Sequence, residues 1–248
     1  MLNLNLRQKQ ILQIAEREGE VAIKVLADKL KVSEMTIYRD VDVLQEQRYL
    51  YKKRGAIVFI ENDDRATADF YADEKRAIGI KAASLILEGQ SVIFDNSTTA
   101  LECARFVDRS KKYTFYATGM ESAAALAACD KSVLYCSGGY YFPATGGYVG
   151  AQAEAFVASV KADVCIIGAS GISLEDGITT PYPMHTPLQK AIIAAAKTKI
   201  LVCDHSKFNK SAMEKICDLS AIDIVVTDSG VPSDEYDKYA EYFKIIKA

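Results

Sequence analysis

The sequence predicts an α/β chain in two parts: a small helical domain with a β-hairpin, then a mostly parallel sheet with helices on both faces. Three observations carry this. Within residues 1–60, apolar positions recur at helical spacing in three segments, the last two separated only by Lys31 and Val32. Two short apolar runs flank Arg54-Gly55. From Arg76 onward, helical stretches alternate with short β-branched strands, the pattern of βα units.

Taken in order, Ile11, Leu12, Ile14 and Ala15 define a first helix from Arg7 to Arg17 that Gly19 ends. Ile23, Leu26, Ala27 and Leu30 define a second. Ser33 is a good N-cap for a third, with Glu34 in its first turn and Ile37, Val41 and Leu44 on its buried face. Two residues between helices force a sharp crossing, which is helix-turn-helix geometry. At about 100° per residue, Met35 and Arg39 point most nearly away from the core, with Thr36 and Tyr38 on the shoulders.

The runs around Arg54-Gly55 read as a hairpin with Lys52, Lys53 and Arg54 at its tip. A cationic hairpin after a helix-turn-helix is a wing, placed to reach the phosphate backbone beside the groove that the third helix enters. Charge agrees: residues 1–60 hold 11 Lys+Arg against 8 Asp+Glu, whereas residues 61–248 hold 19 against 25. Double-stranded DNA is the expected partner, with Ser33, Met35, Thr36, Tyr38 and Arg39 facing the groove and Lys52, Lys53 and Arg54 facing phosphates. Residues 61–75 are polar and acidic and read as a linker, leaving residues 1–60 as the winged helix and 76–248 as the second domain.

In that second domain, strands are expected at Ser91–Phe94, Tyr113–Ala117, Ser132–Cys136, Val164–Gly168, Lys199–Cys203, Ile224–Thr227 and Lys244–Ile246. Helices are centred on Ala83, Cys103, Ala125, Phe156, Ala194 and Tyr239. Ligands of an open parallel sheet collect beyond the C-terminal ends of its strands. The turns there are rich in hydroxyls and glycines: Asp95 with Ser97, Thr98 and Thr99; Thr118-Gly119; Gly138-Gly139; Gly168 to Gly171; and Asp204 to Lys207. Backbone amides at helix starts and Lys207 suit a phosphate, and Asp95 and Asp204 suit sugar hydroxyls. Thr186-Pro187-Leu188-Gln189 reads as a capping box, placing Lys190 in a first turn near the same edge. The expected ligand is a small phosphorylated sugar.

Other classes are excluded by the same reading. Hydrophobic residues make up 50% of 248 and charged residues 25%, ordinary for a soluble globular protein. No apolar window is long enough to span a bilayer, so the expectation is a cytoplasmic protein without a membrane partner. The six cysteines form no C-x-x-C pair, and His185 and His205 lack metal-spaced partners, so neither metal nor cofactor is expected. His205 reads as a hydrogen-bonded turn residue. No catalytic set emerges.

These residues resemble the DeoR family of bacterial transcription regulators. The family signature V-S-x-x-T-I-R-R-D-L falls on Val32 to Val41, with Tyr38 in place of the first arginine. Further landmarks fall on Asp95 to Thr99, with Ser97 for the family's glycine, and on Thr118 to Met120, Gly138-Gly139, Gly168 to Ile172, Lys190 and Asp204 to Phe208. The resemblance implies a winged helix-turn-helix followed by a domain similar to ribose-phosphate isomerases and CoA transferases. It implies a regulator of carbohydrate metabolism genes, with a repressor as the expectation, acting as a homodimer or homotetramer on an operator. It points to Asp95, Ser97, Thr98, Thr99, Thr118, Gly119, Gly138, Gly139, Gly171, Lys190, Asp204 and Lys207 as effector contacts. The alternative is a sugar-phosphate isomerase or transferase carrying an appended helical domain; a third is a winged helix that binds a protein partner.

Overall fold

The computed structural model describes residues 4–46, 49–59 and 71–248. They fall into two compact units, Met1–Ala72 and Asp73–Ala248. Among the described residues, no helix is long and apolar enough to cross a membrane.

In the first unit, α1 (Leu6–Glu18), α2 (Ile23–Leu30) and α3 (Glu34–Glu46) share one core that includes Ile11, Leu12, Leu26, Ile37, Val41 and Leu44. Asn5 and Gln8 cap α1 reciprocally, each side chain accepting from the other's amide, which satisfies two donors that a helix start otherwise leaves open. Gly19, at φ 73, closes the helix. Between α2 and α3 the chain reverses at Lys31, which sits in the left-handed region at φ 54, and the Val32 amide donates to the Ala27 carbonyl at 3.0 Å. Val32 packs half-buried against the core as the plug of that turn.

The hairpin consists of β2 (Leu50–Lys53) and β3 (Ala56–Phe59), turning at Arg54-Gly55 with Gly55 at φ 74. A strand outside the sequence expectation, β1 (Glu20–Ala22), pairs antiparallel with β3 and makes a three-stranded sheet in the order β1-β3-β2. Three residues are too few for an alternating pattern to register.

The expected linker needs correction. Residues 61–70 lie outside the described residues. Tyr71, by contrast, is buried in the first unit's core, its hydroxyl donating to Glu16 at 3.0 Å. At Ala72 the helix α4 (Ala72–Ala83) begins, so Ala83 is its last residue and not its centre. Asp73-Glu74-Lys75, which reads as polar linker, is its first turn: the acids sit where the helix dipole favours them, and Lys75 is buried.

The second unit is built on seven strands: β4 (Ser91–Phe94), β5 (Thr114–Ala117), β6 (Val133–Cys136), β9 (Ala162–Ile167), β12 (Ala196–Val202), β14 (Ile224–Thr227) and β15 (Lys244–Lys247). They coincide with the seven expected runs. The sheet order is β15-β14-β12-β9-β4-β5-β6, with every neighbouring pair parallel. Alternate residues serve opposite faces. Val92, Phe94, Phe115, Ile166, Val202 and Val226 pack with α4, α5 (Thr98–Phe106) and α6 (Met120–Leu126), while Ile93, Cys165, Ile167, Leu201 and Val225 pack with α7 (Ala151–Ala158), α8 (Thr186–Ala195) and α9 (Ser233–Tyr239). A sheet buried on both faces needs apolar residues at every position, which is why these strands read as continuous runs.

Smaller pieces decorate the C-terminal end. A hairpin joins β7 (Tyr140–Phe142) to β8 (Gly147–Val149), and β10 (Gly171–Ser173), β11 (Gly177–Thr180) and β13 (Glu214–Cys217) form a separate antiparallel sheet. The chain leaves β4 for β5 and β6 on one side, then returns to the other side for β9, β12, β14 and β15. The order therefore reverses between β4 and β9, and a ligand crevice belongs at their C-terminal ends.

Candidate functional site

Two regions carry function. In the first unit, the outward set on α3 is largely unused by the fold. Met35 is 64% exposed, Arg39 is exposed, and Thr36 and Tyr38 are half-buried on the shoulders. Ser33 caps the helix, its hydroxyl accepting from the Thr36 amide at 3.2 Å and pairing with the Thr36 hydroxyl at 2.9 Å. What holds α3 in place lies on its other face: Asp40 is buried, takes the Arg7 guanidinium at 2.5 Å, and accepts from the Gln8 side chain at 3.3 Å. That anchor escapes sequence reasoning because Arg7 and Gln8 stand more than thirty positions away. Its one local signal is a carboxylate beside the buried Val41.

The wing is less free than its composition implies. Lys52 pairs with Asp42 of α3, and Lys53 pairs with Glu20 of β1 at 2.7 Å, an interaction that raises the lysine's pKa. Arg54, at the turn, is exposed and makes no ion pair among the described residues. Both lysine pairs are solvent-exposed, so each contributes little to stability and is readily exchanged for a phosphate.

In the second unit, Asp95 joins the two lips of the switch point. Its carboxylate is buried and accepts the Ser97 amide at 2.8 Å on one oxygen and the Gly168 amide at 2.8 Å on the other. A Cβ on Gly168 would lie 2.4 Å from that of Ser97, so glycine is what lets the lips close. Ser97 also caps α5, its hydroxyl accepting from the Ala100 amide at 3.2 Å. The Thr98 and Thr99 amides, next in the first turn, have no acceptor among the described residues, and Thr98 is half-exposed. These donors at a helix start form the anion-binding part of the crevice.

Thr118 and Gly119 do a different job. The Thr118 carbonyl accepts from Tyr148 at 2.8 Å, and the Met120 amide donates to Gly146 at 3.1 Å, so the β7–β8 hairpin occupies the start of α6. Gly119 and Gly147 close on Asn96 from two sides, and the Asn96 side-chain amide donates to Thr145 at 3.1 Å. The α6 start is thereby occupied by the chain's own carbonyl. Gly139, at φ 109, packs against Val149 and Ala153, whereas Gly138, at φ 60, faces Gln152. Gly171 opens β10 opposite Thr179, and a Cβ there would lie 2.5 Å from the Lys210 carbonyl. Residues 171–173 and 177–180 are strands of the small sheet.

Beyond β12, Asp204 is fully buried. One of its oxygens caps the short turn His205–Lys207 by accepting from the Ser206 amide at 3.0 Å; the other, Oδ2, has no hydrogen-bond partner. Lys207 ends the same turn, close enough for its charge to act on the Cys203 thiol. His205 is a hydrogen-bonded turn residue as expected: Nδ1 lies 2.7 Å from Asp228, whose other oxygen accepts the His205 amide at 2.7 Å. The Asp228 hydrogen bond raises the imidazole's pKa against the opposing effect of burial. Burial pushes the Asp228 carboxyl up, and bonds from His205 and Gly230 more than offset this and hold it low.

At α8, His185 is the N-cap and Pro187 lies in the first turn, but the expected capping box is absent: Thr186 donates to the Tyr182 carbonyl at 3.4 Å, and Gln189 is buried with its Oε1 unpartnered. Lys190 is exposed, and its charge acts on Cys217 of β13. The structure thus brings Asp95, Ser97, Thr98 and Thr99 together at the switch point and sets Asp204 and Lys207 at the end of β12, which β9 separates from β4. It uses Thr118, Gly119, Gly139 and Gly171 for packing. Asn96, the β7–β8 hairpin and Asp228 are the neighbours that sequence reasoning overlooked.

Residues 7–63 match the DeoR-like helix-turn-helix domain, and residues 71–229 match the DeoR C-terminal sensor domain. The chain belongs to the DeoR family. It is a DNA-binding transcriptional regulator in a family of transcriptional regulators. The transcriptional repressor AccR of Agrobacterium fabrum is 30% identical over 90% of this chain and 89% of its own length. The glycerol-3-phosphate regulon repressor of Escherichia coli is 27% identical over 91% of each. A solved ribose 5-phosphate isomerase A from Methanocaldococcus jannaschii superposes with a TM-score of 0.42 at 14% identity, covering 56% of this chain and 55% of that one. At that score the likeness carries no argument. The DeoR assignment rests on the two domain matches.

Proposed function

We propose that this DeoR regulator is a cytoplasmic repressor of carbohydrate metabolism genes, that it acts on a double-stranded operator as a homodimer or homotetramer, and that a phosphorylated sugar controls it. The observation that carries the sensor part is the pairing of complementary groups at one sheet edge. The Thr98 and Thr99 amides at the start of α5 are donors awaiting an anion, and Asp204 Oδ2 is a buried acceptor awaiting a donor. A phosphate supplies the first and a sugar hydroxyl the second. In this reading Ser97, Lys190 and Lys207 add to the phosphate field, and Gly138 admits the ligand's close approach to backbone.

In the winged helix, Arg39, Tyr38, Thr36 and Met35 face the groove, with Ser33 at its rim, and Lys52, Lys53 and Arg54 face phosphates. The glycerol-3-phosphate relative's name joins repression with a phosphorylated polyol, which supports this reading. We read the crevice as one that binds without turnover, with Asp95 serving as the acceptor that holds the Ser97 and Gly168 amides in place.

A thermal-shift panel of pentose, hexose and triose phosphates tests the sensor. A ligand at 100 times its Kd adds about 2.7 kcal/mol to the unit that binds it. A panel without any stabilising compound contradicts the effector class. Isomerisation of a panel member, abolished by Asp95→Asn, contradicts the non-enzymatic reading.

A further inference from the structure

The two edges of the seven-stranded sheet differ in chemistry. At one edge, β15 reads Lys244-Ile245-Ile246-Lys247, with both lysines exposed, and Lys247 lies over the Tyr236 ring at 4.5 Å. Charge on an edge strand is a standard guard against pairing with another chain. At the other edge, β6 reads Val133-Leu134-Tyr135-Cys136, uncharged and without proline. Val133 is 52% exposed, Tyr135 48%, Cys136 is exposed and Leu134 half-exposed. Among the described residues no strand pairs with the outer side of β6, and a four-residue apolar strand is what proteins avoid leaving uncovered.

Backbone register says what kind of partner fits. The Val133 amide donates to Tyr113 at 3.1 Å, and the Ser137 amide donates to Ala117 at 3.0 Å, so the odd-numbered residues bond inward to β5. By strand alternation, the amides and carbonyls of Leu134 and Cys136 face outward. Another β-strand is the partner these groups require.

The side chains say whose strand it is. On one face of the sheet, Phe156, Tyr116 and Tyr135 form a row that starts against the core and steps out to the edge: Tyr116 meets Phe156 at 6.1 Å and stacks on Tyr135 at 5.5 Å. The row stops at an open ring. Antiparallel pairing of β6 with its own copy about a twofold axis at Tyr135 sets Leu134 against the copy's Cys136, exchanging the outward hydrogen bonds, and sets the two Tyr135 residues directly opposite. The two aromatic rows then join into one across the axis. Nothing charged meets its own kind. The same operation at β15 would set Lys244 against Lys247, where like charges repel.

We infer that β6 is the self-association surface of this chain, joining two copies strand to antiparallel strand about Tyr135. This rests on the reading that the winged helix works as a dimer or a multiple of one. The seven-stranded sheet becomes fourteen-stranded across the axis. Two winged helices are carried by one continuous scaffold, as a two-half-site operator requires.

The test uses the full-length chain without DNA, so that its result is independent of operator binding. Multi-angle light scattering at micromolar concentration is expected to give a dimer or tetramer for the natural protein and half that mass for Leu134→Pro, whose amide points outward and is dispensable to its own sheet. Tyr135→Lys is expected to do the same, with cooperative melting retained. Because either variant can fail to fold, Tyr135→Cys in a Cys136→Ser background provides a second route. Directly opposite residues stand about 4.5 Å apart at Cα, within disulfide reach, so mild oxidation yields a covalent dimer. A monomeric natural protein overturns the inference, as do an assembly unchanged by both edge substitutions and an absence of cross-linking. A dimer that ignores every DNA fragment offered would instead count against the DNA reading and leave β6 standing.

Discussion

The recognition helix and the sensor crevice are built on opposite principles. On α3, the residues proposed to face DNA do almost nothing for the fold: Met35 and Arg39 project into solvent, while Ile37, Asp40, Val41 and Leu44 hold the helix from behind. At the switch point the frame of the crevice is also structural. Asp95 bonds two amides, Ser97 caps a helix, Gly168 admits Ser97, and Gly119 admits Asn96. A surface that meets a large partner can be made from what the core leaves over. A crevice that meets a small one is framed by the backbone turns themselves. Binding and stability should therefore separate in the first unit and move together in the second.

The most damaging change is expected at Asp95. Asp95→Ala leaves the Ser97 and Gly168 amides without their charged acceptor and should lower the stability of the second unit by about 3 kcal/mol in chemical denaturation. Gly168→Ala comes next at about 2 kcal/mol, because the new Cβ overlaps Ser97. If adding Ser97→Gly recovers part of that loss, the close approach is its cause; no recovery would place the strain elsewhere.

The contrasting change is Arg39→Ala. Stability should stay within about 0.5 kcal/mol of the natural protein, while operator affinity falls roughly tenfold to a hundredfold. Melting that drops along with binding would erase the distinction between the two regions.

A pH series probes the crevice from another side. His205 has a raised folded pKa, so its pairing with Asp228 is fully stabilising below the unfolded imidazole value of about 6.5 and is lost as pH rises through the folded value. The second unit should lose stability over that interval, and Asp228→Asn should flatten the slope. Asp163 at the opposite end of the sheet acts in the other sense: amide and hydroxyl bonds from Ser91 hold it at about 2, so its contribution is present above the ordinary aspartate range and fades as pH falls toward that value. The smallest effect belongs to the wing. Arg54→Ala should reduce the slope of log affinity against log salt by about one unit, without altering which sequence is bound.

The same contrast explains what could be read from sequence. The inner sheet strands were legible because burial on both faces demands unbroken apolar runs, and α3 was legible because Ile37, Val41 and Leu44 repeat at helical spacing. Strands of three or four residues at the rim, such as β1, β7, β8, β10 and β11, carry too little pattern. Long-range polar contacts were invisible: Asp40 to Arg7, Asn96 to Thr145, and His205 to Asp228 join residues between 23 and 49 positions apart. The Thr186 capping box failed for a related reason, since the hydroxyl found the Tyr182 carbonyl instead. Composition could name the groups at the crevice but not which of them the fold had already engaged.

Fluorescence anisotropy of a labelled duplex from the chain's own upstream region tests the central claim most directly, read at several salt concentrations with and without the sugar phosphate that most raises the melting temperature. The account predicts tight binding that weakens steeply with salt, is weakened further by the sugar phosphate, and shows the reciprocal loss of sugar-phosphate affinity when operator is present. Binding indifferent to both salt and sugar phosphate would contradict it.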